Sequence, residues 1–386
     1  HPLIKETPMT THDKDPWLLT PGPLTTSAQT KQAMLHDWGS RDAQFIETNA
    51  RVLRRLLDIA GAAETHVCVP LQGSGTFTVE AALGTLIPPG DGKKDGKALV
   101  LINGAYGKRI ARILDYAGRS HISLETPEDT PPDLNDLEAA LKSDTAITHV
   151  VAVYCETTSG ILNPIEDIAR ITAENQRRLI IDAMSAFGAL PFDASAIPFD
   201  GMMASSNKCL EGVPGMGFAI LRRAALEQCQ GNAHALSLDL YDQWTAMEKN
   251  GQWRFTPPTH VINAFDKALD QFDAEGGAEG RHARYAGNCK ILVDGMRGLG
   301  FETLLADEVQ APIIVTFKMP ADEKFDFQVF YDALGCRGYV IYPGKLTVAP
   351  SFRIGCIGQL GASEMQGALK AITDVMKEMG VESGKS

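Results

Sequence analysis

The chain has 386 residues, 44% of them hydrophobic and 22% charged, with a net charge of −12 and a pI near 5.3. So acidic a surface repels nucleic acid and anionic membranes, which argues against both as partners, although one or two placed arginines can still hold a small anion locally. No apolar run approaches the roughly 20 residues that a membrane-spanning helix needs, and the polar stretch from His1 to Asp15 lacks an apolar signal-peptide core. The seven cysteines (Cys68, Cys155, Cys209, Cys229, Cys289, Cys336 and Cys356) are scattered and odd in number, without a C-x-x-C pair. That pattern predicts neither a disulfide framework nor a metal site, and it fits a reducing cytoplasm.

In chain order, residues 1–17 read as an N-terminal extension. From about 66 to 222, short apolar runs alternate with longer amphipathic ones. The runs at 66–71, 98–103, 121–125, 149–154, 178–183, 201–206 and 217–222 predict seven strands. They are dense in apolar residues rather than alternating, as strands buried on both faces are. Helical stretches lie between several of them, at Thr76–Leu86, Gly107–Ala117, Asp133–Leu141 and Pro164–Asn175. Strand–helix–strand repetition implies an α/β fold with a mostly parallel sheet, whose ligands sit at the carboxyl ends of the strands. The charged, glycine-rich segment Gly90–Gly96 predicts a surface loop. Two long helices are expected at Thr259–Phe272 and Gly280–Gly298. A smaller α/β unit follows, with strands at 311–317, 338–343 and 351–355 and helices near 325–334 and 363–379. The expected division is a large domain over 18–275 and a small C-terminal domain over 276–386.

Three segments carry candidate chemistry. Gln72–Glu80 follows a strand and opens a helix, where backbone N–H groups and the helix dipole collect a phosphate. Gly73 and Gly75 permit close approach, and Ser74 and Thr76 add hydroxyls. It is neither a Walker loop nor a dinucleotide fingerprint, and an ordinary capped glycine turn explains it as well. Asp182 ends an apolar strand, where a carboxylate is costly without a positive partner. A protonated pyridine nitrogen would serve; so would a simple capping role. Lys208 sits between a strand and a glycine run (Ala204–Gly217), a setting that suits a buried amine better than a solvated surface charge. Cys209 beside it is read as a small buried filler rather than a nucleophile. The linear order of phosphate cradle, strand-end aspartate and strand-end lysine is that of aspartate-aminotransferase-like, fold type I enzymes of pyridoxal 5′-phosphate (PLP).

The chain closely resembles the 2-aminoethylphosphonate–pyruvate transaminases, a branch of the class V aminotransferases. The matching stretches include LTPGPLTTS (19–27), LQGSGTFTVEA (71–81), NGAYG (103–107), CETTSGILNPI (155–165), IDAMSAFGALPFD (181–193), SSNKCLEGVPGMGF (205–218), WRFTPPTH (253–260), EGG-x-x-x-R-x-x-RY (275–285), VIYPGK (340–345) and FRIG (352–355). The resemblance implies fold type I, PLP as cofactor, 2-aminoethylphosphonate and pyruvate as substrates, and a homodimer with shared active sites. It further implies Lys208 as the Schiff-base lysine and proton shuttle, and Asp182 as the partner of the pyridine nitrogen. Ser74, Gly75 and Thr76 would form the phosphate cradle. Thr157 would bond the ring hydroxyl, and Thr256 would reach the phosphate from the neighbouring subunit. Arg353 would anchor the substrate's acidic group by a bidentate fork; its bland reading is a surface salt bridge.

One stretch departs from the pattern. Where many close family members carry Cys-Thr-Trp-Asp after Asp-Trp, this chain reads Asp37-Trp-Gly-Ser-Arg-Asp-Ala-Gln-Phe45. Arg41 there is either an additional substrate anchor, as in the wider alanine–glyoxylate branch, or a loop charge. The alternatives are an alanine–glyoxylate or serine–pyruvate transaminase on the same fold, a PLP lyase or cysteine desulfurase, and a protein that only binds.

Overall fold

The computed structural model describes residues 15–90, 95–345 and 349–386. Most of the expected N-terminal extension, and positions 91–94 of the glycine-rich loop, lie outside the described residues. The chain opens with β1 (Trp17–Leu18), a short helix α1 (Ala28–Gln32) and the long α2 (Ala43–Ile59). Helix α2 was not anticipated, yet its buried positions Phe45, Thr48, Asn49, Val52 and Leu56 trace one face at helical spacing.

The predicted alternation then appears in full. It runs β2 (His66–Gly73), α3 (Gly75–Leu86), β3 (Lys97–Ile102), α4 (Ala105–Tyr116), β4 (Ser120–Glu125), α5 (Leu134–Ser143) and β5 (His149–Val153). A small hairpin of β6 (Cys155–Glu156) and β7 (Ile161–Leu162) leads to α6 (Ile165–Glu174), β8 (Arg178–Asp182), β9 (Gly201–Ser205) and β10 (Gly215–Arg222). Seven strands form one sheet in the order β2-β10-β9-β8-β5-β3-β4. All pairings are parallel except those of β10, which runs antiparallel to both neighbours. The connection from Ser205 to Gly215 is too short for a crossover, so the chain must turn back. The apolar runs are explained by cores on both faces. Along β3, Leu99 and Leu101 point into one core, while Ala98, Val100 and Ile102 point into the other. Along β5, Val150 and Ala152 oppose Val151 and Val153 in the same way.

After β10 come α7 (Arg223–Leu226), α8 (Leu240–Asn250), α9 (Thr259–Ala274) and the 22-residue α10 (Gly277–Gly298). Beyond them lie β11 (Ile314–Lys318), α11 (Phe327–Cys336), β12 (Tyr339–Val340), β13 (Tyr342–Pro343), β14 (Ser351–Gly355) and α12 (Ala362–Met379). Strands β11, β14 and β13 form a second sheet, with Tyr342 opposite Arg353. A third core lies under it, rich in aromatic residues: Phe301, Phe317, Phe330 and Phe352 are all buried. Two features tie this unit to the rest. Helix α10 enters the first core through Tyr285 and the third through Leu292 and Met296. Strand β1 pairs with β12, and Leu19 is buried in the third core.

Candidate active site

Because β2, β5, β8 and β9 run parallel, their carboxyl ends open on one edge of the sheet. A cavity of about 590 Å³ lies there, of a size suited to a small ligand. Its lining includes Ser74, Gly75, Thr76, Thr157, Asp182 and Lys208, so six of the candidate residues, scattered over 135 positions of sequence, meet in one space.

Lys208 follows β9 in a tight turn. Ser206 Oγ donates to the carbonyl oxygens of Val213 (2.6 Å) and Met216 (3.1 Å), and the Gly212 amide donates back to the Ser206 carbonyl at 2.8 Å. The Lys208 amine donates to the Pro21 carbonyl at 2.5 Å. Gly22, at φ +122°, lies flat against this side chain: a Cβ there would stand 2.7 Å from Cδ and 2.9 Å from Nζ. Burial pushes the Lys208 amine below the ordinary lysine range, opposed by Tyr106, Cys209 and Asp182. Asp182, only 5% exposed, caps the turn after β8 through Oδ1, which accepts from the Met184 amide at 2.9 Å. Burial raises its carboxyl; the Met184 bond and the charges of Lys208 and Arg109 pull the other way. The capping role and the buried charge therefore coexist in one residue. Cys209 is fully buried, its thiol pushed up to about 12 by burial, which makes it the inert filler expected.

At the amino end of α3, Ser74 is the N-cap residue, and its side chain makes no capping bond. The amides of Phe77 and Thr78 turn back to the Ser74 carbonyl, which leaves those of Gly75 and Thr76 as the helix's open donors. Gly75 is required by packing, since a Cβ there would lie 2.5 Å from Met184 Sδ. Arg109, on α4, donates to Thr76 Oγ1 at 3.2 Å and lines the same end of the cavity. No carboxylate stands within ion-pair distance of it among the described residues.

The opposite wall is built on Glu156. This fully buried carboxylate accepts from the amides of Tyr106 (3.1 Å), Gly107 (3.2 Å) and Thr158 (3.0 Å) and from Thr158 Oγ1 (2.6 Å). It thereby caps α4 from a distant strand and fixes Tyr106 over the cavity. Thr157, 1% exposed, lines the cavity beside Tyr106, and its carbonyl accepts from Arg353 Nη1 at 2.7 Å. Arg353 is 1% exposed and donates from Nε and Nη2 to the Pro343 carbonyl. It therefore stands one residue behind the cavity wall, without a carboxylate partner among the described residues, and the surface-salt-bridge reading fails. Two other candidates lie away from the cavity of their own chain. Thr256 is exposed before α9, and Arg41 is exposed on the turn before α2.

Sequence reasoning left Tyr106, Arg109, Ser205 and Asn207 without roles, though all four line the cavity. The NGAYG stretch was the available signal for Tyr106. Arg109 carried none, because one more arginine on an amphipathic helix is unremarkable. Also missed was a buried clamp on the Lys208 turn. Glu211, at φ +57°, accepts on Oε1 from Tyr285 Oη (2.6 Å) and Arg284 Nη2 (2.7 Å). Arg281, fully buried, donates from Nη1 to the Cys209 carbonyl and from Nε to Glu275. Arg284 Nη1 continues to the carbonyls of Gly358 and Leu360, just past the strand that carries Arg353. The EGG-x-x-x-R-x-x-RY stretch thus fastens the two site-bearing segments to one helix.

These residues fit PLP on their own chemistry. An open helix N-terminus with Arg109 alongside suits a phosphate; a buried strand-end carboxylate suits a ring cation; a desolvated amine suits attachment to an aldehyde. Ser205 Oγ is a buried hydroxyl in the lining with no hydrogen-bond partner among the described residues. Comparison with known proteins agrees. The model of the aminotransferase class-V family matches residues 27–354. A protein of Pseudomonas putida named 2-aminoethylphosphonate–pyruvate transaminase is 55% identical over 366 residues, covering 95% of this chain and 98% of its own. The fold is shared with an aspartate aminotransferase of Thermus thermophilus (TM-score 0.83, 23% identity, covering 94% and 99% of the two chains). It is shared equally with an alanine–glyoxylate aminotransferase of Nostoc (TM-score 0.87, 20% identity, covering 97% and 98%). By family model, full-length identity and fold, this chain belongs to the class-V aminotransferases and takes pyridoxal phosphate as its cofactor.

Proposed function

We propose that the enzyme moves the amino group of 2-aminoethylphosphonate to pyruvate, yielding phosphonoacetaldehyde and L-alanine. The observation that carries the choice of an acidic substrate is Arg353. A guanidinium that is 1% exposed, in the middle of β14 behind the cavity wall, has carbonyl oxygens as its hydrogen-bond partners and the Tyr342 ring beside it, and among the described residues no carboxylate. Such a charge is expensive to bury unless an anion completes it. Identity of 55% over nearly the whole chain to a protein named for this reaction supports phosphonate as that anion.

The cofactor, when bound, supplies an electron sink that makes the substrate carbon beside nitrogen acidic. The chain does the rest. Ser74, Gly75 and Thr76 hold the phosphate, and Asp182 holds a proton on the ring nitrogen. Thr157 bonds the ring hydroxyl. Lys208 would hold the cofactor through its amine and, once that amine is free, would serve as the base that takes the proton from the substrate carbon beside nitrogen; burial lowers its basicity, which favours a neutral amine. Arg353 anchors phosphonate in one half-reaction and carboxylate in the other. Thr256, exposed in its own chain, reaches the phosphate of a second copy, which makes the working form a homodimer. The chain divides into a large domain (18–275) and a small one (276–386); the separate third core supports this reading, while Tyr285, Ala311, Ile313 and Ile357 of the small unit pack into the first core. Among the described residues no helix is long and apolar enough to cross a membrane, and all seven cysteines are unpaired; both fit a cytoplasmic enzyme.

The test is direct. Adding 2-aminoethylphosphonate to the holoenzyme should bleach the absorbance of the lysine-bound cofactor, and pyruvate should restore it with release of alanine. Alanine or serine bleaching it far better than the phosphonate amine would refute the substrate assignment. Full activity in Lys208→Ala would refute the site.

A further inference from the structure

Near neutral pH a phosphonate, like a phosphate monoester, carries close to two negative charges, its second proton leaving near pH ~6. A carboxylate carries one. A single arginine neutralises pyruvate but leaves a phosphonate half compensated, so a site that prefers the phosphonate needs a second cation near the first. The candidate cations around the cavity can be assigned in turn. Lys208 is the attachment point. Arg109 stands at Thr76, on the phosphate side. Arg353 lies on the far side of Thr157.

One cation is left over. Lys345 follows β13, the strand whose Tyr342 pairs with Arg353 and whose Pro343 carbonyl accepts two bonds from the Arg353 guanidinium. Its Nζ sits 5.5 Å from the centre of the Tyr106 ring, and Tyr106 lines the cavity. Tyr106 is the common neighbour of three cations: Lys208, Lys345 and Arg353 all act electrostatically on its phenol. Lys345 is exposed and has no carboxylate partner among the described residues. An exposed lysine over an aromatic face gains little from that contact alone. Holding it there therefore needs no structural reason, while a dianion on the Arg353 side of Tyr106 gives it a partner.

We propose that Lys345 is a specificity-determining residue, the second cation that, with Arg353, selects a dianionic phosphonate amine over a carboxylate amine. The proposal rests on the substrate reading above. It is tested in the amine half-reaction alone, by following cofactor absorbance in the holoenzyme with 2-aminoethylphosphonate and, separately, with L-alanine. Lys345→Met should weaken apparent binding of the phosphonate about tenfold to a hundredfold, the range for one charge-assisted contact. Alanine binding should change by less than about threefold on the same scale. Lys345→Arg should restore most of the phosphonate affinity. The wild-type advantage over Lys345→Met should also shrink as pH falls below the phosphonate's second ionisation, which a merely structural lysine would not produce. Equal losses with both amines, or no loss with either, would overturn the role of Lys345 and leave the substrate reading intact. A wild-type enzyme that does not respond to the phosphonate at all would overturn both.

Discussion

Glu211→Gln removes one charge from a closed set of four while preserving shape. The Glu211 carboxylate is 4% exposed and holds Tyr285 Oη at 2.6 Å and Arg284 Nη2 at 2.7 Å, with Arg281 Nη1 at 3.7 Å. Two arginines and two glutamates balance in this cluster; after the substitution only Glu275 remains to face Arg281 and Arg284. Removing one partner of a buried pair costs about 3–5 kcal/mol. Glu275 keeps half of the compensation, and the Arg284 side chain is 23% exposed, so about 2–4 kcal/mol is expected here. With a urea m-value of roughly 3 kcal/mol/M, the unfolding midpoint should fall by about 1 M. Cofactor affinity should fall too, because the carboxylate restrains the turn that carries Lys208. The decisive measurement is a double-variant cycle. Glu211→Gln with Arg284→Met restores neutrality and should cost about 1–2 kcal/mol less than the sum of the two single changes. Strict additivity, or a single-variant shift below about 0.3 M in urea, would refute the charge-balance reasoning.

Other outcomes follow from the same geometry. Burial holds His66 at a pKa of about 4 and His149 at about 3, so both are neutral in the folded protein at neutral pH. The unfolded chain binds their protons first, near pH ~6.5. The stability that this neutrality contributes is thus full above that pH and is lost as pH falls toward 4 and 3. At pH ~5 each should cost about 1–2 kcal/mol relative to pH ~7, and a His149→Gln variant should show a shallower acid slope in denaturant titrations. Gly22→Ala puts a methyl within 3 Å of the Lys208 chain at a left-handed φ, so the purified protein should carry little lysine-bound cofactor; a normal absorbance band would contradict the packing account. Arg109→Met removes the cation beside Thr76 and should weaken cofactor binding about tenfold or more, read by dialysis against limiting cofactor, with little change in the amine preference. An unchanged cofactor affinity would show that Arg109 does not serve the phosphate.

The amino-acid sequence by itself determined the parts that depend on local pattern. Apolar runs without alternation require strands buried on both faces, and Leu99 and Val100 do point into opposite cores. The order of glycine turn, strand-end aspartate and strand-end lysine placed Ser74–Thr76, Asp182 and Lys208 on one sheet edge, because parallel strands end together. Local pattern is also enough for α2, whose one-sided burial is plain in the spacing of Ala43–Ile59.

Only the tertiary structure decided the rest, and the reason is the same each time: the contact joins residues whose separation leaves no periodic trace. Glu156 caps α4 from some fifty positions away, and so Tyr106 becomes cavity wall rather than helix surface. Arg281 and Arg284 hold the Lys208 turn across more than seventy. Trp17–Leu18 crosses over three hundred to pair with Tyr339–Val340. Arg353 was legible as a charge on an apolar strand, but not as a guanidinium that donates to carbonyl oxygens behind Thr157 and meets no carboxylate among the described residues. Burial and partner choice, which set what a charged group can bind, are properties of the packed chain and not of its order.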